Sequence, residues 1–127
     1  MMKNIIFAGL VLMVSISAMA QEVAGDGSMV ILPVEAQECV LPSAPAPIPE
    51  KAEKADLLKA QKNVKQFQGD MQSYRDCVNQ FADSPDVTQG NEIAISNAHN
   101  YSVDMEERVA TMFNEAVRDY KARNANN

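Results

Sequence analysis

Leu57, Ala60, Val64, Phe67, Met71, Tyr74, Val78 and Phe81 recur at steps of three and four residues without interruption. That alternation puts every member on one stripe of an α-helix, and a continuous stripe of this kind packs lengthwise against another helix. In a strand, where side chains alternate between faces, the same residues would scatter to both sides. A second seam follows at Ile95, Ala98, Ser102, Met105, Val109, Met112, Ala116 and Tyr120. It is less apolar than the first, and Ser102 sits directly on it.

The two seams predict an all-α fold, a long antiparallel two-helix hairpin. Helix one occupies residues 50–83 and helix two residues 84–124, each with about 33 helical residues and so roughly 50 Å long. Ser84-Pro85-Asp86 suits a helix start, with Ser as N-cap, Pro in the first turn and an acid behind it. A later start near Asn91, after Gly90, is the alternative. A pivot near residue 86 sets Val78 opposite Ile95, Tyr74 opposite Ala98 and His99, and Val64 opposite Val109. Arg118, Lys121 and Arg123 complement the negative end of the second helix dipole. Lys51, Lys54, Lys59, Lys62 and Lys65 fall outside the first seam, interleaved with Glu50, Glu53 and Asp56, and read as a solvated face. Leu58, Phe113 and Val117 also lie off the seams. They need cover from residues 29–41, or from a second copy in a four-helix bundle.

Residues 21–49 do not read as helix. Gly25, Gly27, Pro33, Pro42, Pro45, Pro47 and Pro49 interrupt every candidate segment. Met29-Val30-Ile31-Leu32 suits a short strand or an apolar strip against the rest of the chain. Pro42 to Pro49 forms a stiff polyproline-like connector of about 3.1 Å per residue. It reads as a spacer, with a ligand for a proline-reading domain as the alternative. At 127 residues the chain has room for one domain, the hairpin unit at 38–124.

Residues 1–20 read as a secretory signal peptide. Lys3 supplies the positive start, Ile5 to Val14 the apolar run, and Ala18-Met19-Ala20 the small residues for cleavage after Ala20. The run is shorter than the ~20 residues of a spanning helix, so no stable membrane span is expected after cleavage. The destination is then the periplasm or the medium. Without Lys3 the chain keeps 10 basic and 17 acidic residues, a net charge of −7. Nucleic acid is a poor partner for such a surface, because phosphate binding needs clustered Lys and Arg.

Cys39 and Cys77 are the only cysteines. In an exported chain an even count favours a disulfide. Bridges between chains and a redox pair are the other readings, although redox pairs usually take a Cys-x-x-Cys spacing. The layout is compatible with a bridge inside one chain. Helix one from Lys51 to Cys77 spans about 39 Å, and twelve extended residues from Cys39 to Lys51 span about 37 Å. With a Cα separation of ~5.5 Å across the bridge, the proline segment would have to run nearly straight along helix one.

Reactive side chains are few. His99 is the only histidine, and it reads as a partly buried residue that hydrogen-bonds near Tyr74. Its alternative is a copper-type metal site with Met105 or Met112, since imidazole and thioether ligands suit copper. Met29, Met71, Met105 and Met112 are the methionines left after cleavage, and Met on a seam is ordinary filler. Asp104, Glu106 and Glu107 read as a solvated acidic face without a calcium loop. Asn100-Tyr101-Ser102 matches the glycosylation sequon by chance. No phosphate loop, nucleophile elbow or catalytic carboxylate pair is present. The chain is therefore expected to be no enzyme, to carry no cofactor, and to act by contact with a protein partner or with itself.

At Cys39-Val40-Leu41-Pro42, Pro45-Ala46-Pro47 and Tyr74-Arg75-Asp76-Cys77 the chain resembles small exported proteins of Gram-negative α-proteobacteria that carry no assigned activity. The resemblance covers about residues 38–120. It implies a secreted helical hairpin with a bridge and brings no catalytic residues.

Overall fold

The computed structural model describes residues 21–125, so the expected signal peptide, residues 1–20, lies outside the described residues. Two helices, α1 (Lys54–Asn79) and α2 (Gln89–Asn124), pack against each other as a hairpin. Among the described residues there is no strand, only an isolated antiparallel bridge between Val23 and Met29. No described helix is long and apolar enough to cross a membrane.

The helices are unequal, with 26 residues in α1 and 36 in α2. Helix one starts four residues later than expected because Asp56 caps it. The Asp56 carboxylate accepts the Glu53 backbone N–H at 2.9 Å, relieving a donor that the helix cannot satisfy itself. Helix two does not start at Ser84-Pro85. Thr88 caps it instead, because Thr88 and Asn91 exchange side-chain bonds of 3.0 and 3.1 Å with each other's backbone N–H. Residues 80–87 form a run of turns closed by short backbone bonds such as Val87 N–H to the Ser84 carbonyl.

Of the eight predicted residues on the first seam, Leu57 through Val78 are all buried, while Phe81 lies beyond α1 in the turns and is half-buried. The expected register holds. Val78 and Tyr74 pack with Ile95 and Ala98 near the turn, and Val64, Phe67 and Met71 pack with Val109, Met105 and Phe113 further along. Burial of these apolar groups is the main driving force, at roughly 25 cal/mol per Å².

The N-terminal segment forms a third layer. Residues 22–30 turn back on themselves, with Gly27 at φ +86° supplying the left-handed residue that the turn needs. This turn rests on the start of α2. The Gly90 N–H donates to Ser28 Oγ at 2.8 Å, Asn91 Nδ2 to the Ile31 carbonyl at 2.7 Å, and the Asp26 N–H to Gln89 Oε1 at 3.0 Å. Gly90 is required there, since a Cβ would collide with the Met29 carbonyl oxygen. A 3₁₀ turn at Glu35–Glu38 follows, with Leu32 and Cys39 packed onto the Tyr74–Val78–Ile95 cluster. The expected cover from residues 29–41 thus lies at the turn end of the hairpin. Leu58 stays 58% exposed.

Candidate functional site

Cys39 and Cys77 form a disulfide within the chain, with a Cα separation of 5.8 Å. From that point the proline segment runs back along the hairpin as a strap. Val40 and Pro42 lie beside Asp70, Ser73 and Tyr74. Pro45 and Ile48 lie over Ala60 and Val64 of α1 and Val109 and Met112 of α2. The strap ends where the Arg123 guanidinium donates to the Glu50 and Ala52 carbonyls, at 3.2 and 2.6 Å.

Its inward residues follow a period of three. Cys39, Pro42, Pro45 and Ile48 are half-buried, whereas the residues between them are exposed. Polyproline II has three residues per turn, so one edge of the strap faces the helices throughout. The hairpin holds this edge much as proline-reading domains hold a ligand, but in cis and under a covalent tie.

A polar cluster interrupts the apolar seam between its two halves. Arg75 is 8% exposed and Ser102 fully buried. The guanidinium donates to Ser102 Oγ at 3.2 Å, to Gln72 Oε1 at 3.0 Å and to Glu106 Oε1 at 3.1 Å. Ser102 Oγ donates in turn to the His99 carbonyl at 2.7 Å. No buried side-chain polar atom among the described residues lacks a partner, which is what keeps such a cluster tolerable in an apolar setting. Sequence reasoning missed Arg75, because it flanks the seam and a long cationic side chain there reads as surface. The signal was Ser102, a polar seam residue that needed a partner across the interface.

The other candidates separate. The His99 side chain is exposed, which corrects its expected place as a partly buried partner of Tyr74. Met105 is half-buried in the core and Met112 exposed. No group of three or more His, Cys, Asp or Glu able to hold a metal ion occurs among the described residues. Glu106 leaves the expected solvated acidic face to pair with Arg75, while Asp104 and Glu107 remain exposed. In the Asn100-Tyr101-Ser102 sequon, Asn100 and Tyr101 are exposed and Ser102 is buried.

Burial pushes the Tyr74 phenol up. Hydrogen bonds from the Ser28 hydroxyl, then from the Ser28 backbone, hold the Asp26 carboxyl down.

At the turn end an open cleft lies between residues 31–37 and 81–91. Ile31, Pro33, Val34, Phe81 and Val87 line it, together with the exposed carboxylates Glu35 and Asp86. No family model, curated protein or solved structure matches the chain.

Proposed function

We propose that this is an exported, non-enzymatic protein that acts by contact, as a structural or protein-interaction element of the periplasm or the surrounding medium. Export is supported by the leader-like residues 1–20 and by the disulfide, a bond that persists in oxidising compartments. The observation that carries the contact reading is the outer surface of the N-terminal segment. Among the described residues, six of the nine exposed large apolar side chains lie on it: Val23, Met29, Ile31, Val34, Val40 and Leu41. Val34 and Val40 are 76% and 79% exposed. Exposed apolar side chains concentrated on one segment of a small chain support an interaction surface there. The cysteines and the polar groups of the helix seam are meanwhile used internally. Both cysteines are bridged, and Arg75, Ser102 and Glu106 satisfy one another.

The test is expression of the full chain in a Gram-negative host, with a photo-crosslinking residue at Val34 or Val40 and a control at Lys121. Intact mass of the periplasmic fraction is expected to begin at Gln21 with no free thiol. Discrete crosslinked products are expected from positions 34 and 40 and not from 121. A chain retained in the cytosol with both thiols free would overturn export. Crosslinking no greater at 34 and 40 than at 121 would overturn the contact reading.

A further inference from the structure

The charges of this chain divide by position. Apart from Lys3, no Lys or Arg precedes Lys51, and none lies between Arg75 and Arg108. The hairpin's turn end therefore holds Glu22, Asp26, Glu35, Glu38, Asp83 and Asp86 without a facing cation among the described residues. Arg75, the nearest, is buried and committed to Glu106. The lysines gather toward the other end. Lys54, Leu58, Lys62 and Lys65 follow steps of four, four and three, so they form one stripe on α1 away from the buried seam. All four are exposed. Among the described residues the only ion pair is Arg75–Glu106, so this stripe has no carboxylate partner there.

We infer that the stripe's partner is the turn-end cleft of a second copy, with Leu58 seated among Ile31, Val34, Phe81 and Val87 and the flanking lysines against Glu35 and Asp86. This deepens the contact reading above and rests on it. Each surface is what the other requires. An exposed apolar anchor flanked by cations meets a cleft with apolar walls and exposed anions, so the two surfaces are complementary in charge. An isologous pairing of two Leu58 faces would instead bring lysine against lysine, which electrostatics disfavours. Donor and acceptor surfaces lie at different places on the same chain. The contact is therefore heterologous and adds copies head to tail.

The experiment uses the disulfide-bonded chain from Gln21 onward in sedimentation velocity. Association is expected to rise with concentration and to weaken at least about tenfold between about 0.05 and about 0.5 M salt, as exposed charges are screened. Two surface variants decide the arrangement, Lys54→Glu with Lys62→Glu, and Glu35→Lys with Asp86→Lys. Each alone is expected to be monomeric with an unchanged helical signal. Mixed, they are expected to associate again, because each retains the surface that the other lacks and the two reversed surfaces also carry opposite charges. The pair Leu58→Ser and Val34→Ser repeats the test without altering charge, should a reversal disturb folding. A chain monomeric at millimolar concentration and low salt would overturn the inference, as would association indifferent to Glu35→Lys and Asp86→Lys, or variants that stay apart on mixing. A monomer that still crosslinks to another protein through Val34 or Val40 would leave the contact reading standing while this inference fails.

Discussion

Arg75 on α1 reaches across the hairpin to Glu106 on α2, with a nitrogen–oxygen distance of 3.1 Å, while its other terminal nitrogen binds Ser102. This polar clasp lies within an otherwise apolar seam, where a one-turn slip of either helix would leave a buried guanidinium unpaired. Glu106→Ala is expected to destabilise the fold by about 2 kcal/mol. That is below the ~3–5 kcal/mol of a fully buried pair, because the Glu106 side chain keeps 21% exposure. Ser102→Ala is expected to cost about 1 kcal/mol. Urea denaturation of both single variants and the double is expected to give less than the sum, since both lose the same guanidinium.

Reducing the disulfide removes a constraint over 38 residues of sequence. By loop entropy this is worth about 4 kcal/mol. The Cys39→Ser/Cys77→Ser chain is expected to show a lowered urea midpoint and early protease cleavage between residues 39 and 50. Unchanged resistance to cleavage there would mean that packing alone holds the strap.

The three-residue period of the strap gives a paired test. Ile48→Asp places a charge on the inward edge and is expected to cost about 1–2 kcal/mol, from lost apolar burial. Ala46→Asp falls on the exposed edge and is expected to change stability by less than about 0.5 kcal/mol. Equal effects in thermal unfolding would rule out the observed facing of the strap.

Two glycines on the helices should respond in opposite directions to alanine. A methyl group added at Gly69 would meet nothing within 4 Å, and Gly69→Ala is expected to stabilise by up to ~1 kcal/mol through helix propensity. At Gly90 the same change meets the Met29 carbonyl. Gly90→Ala is expected to displace residues 22–30 and raise their amide exchange.

Tyr74 carries a pH dependence whose sign follows from burial. Its phenol ionises above the ordinary value of 10.0 when folded, so the unfolded chain loses its proton first. The stabilisation is complete below pH 10 and is lost as pH rises through the folded value. Tyr74→Phe is expected to flatten the fall in melting temperature above pH 10 and to leave it unchanged at pH 7.

Periodicity alone carried the hairpin and its pairing, because a helix repeat converts spacing in sequence directly into position on a face. Val78 beside Ile95 and Val64 beside Val109 follow from that and from a short turn. The start of α2 did not follow, because Ser84 and Thr88 are both competent caps by residue type. Thr88 was chosen with Asn91 as reciprocal partner and with residues 26–31 docked on the same turn, contacts between segments some 60 residues apart in sequence. His99 was misplaced because its distance from the core depends on helix rotation, which a seam residue like Ser102 senses and its neighbour does not.

What the chain wrote locally was two amphipathic stripes, a stiff proline segment and two thiols, each legible because short-range sterics and apolar spacing act within a few residues. Tertiary structure alone decided that Arg75 would satisfy Ser102, that Pro42, Pro45 and Ile48 would face inward, and that unpaired lysines and carboxylates would collect at separate places on the rod. Those outcomes depend on which groups meet after the chain has closed on itself, where desolvation makes a partner obligatory and only geometry supplies one.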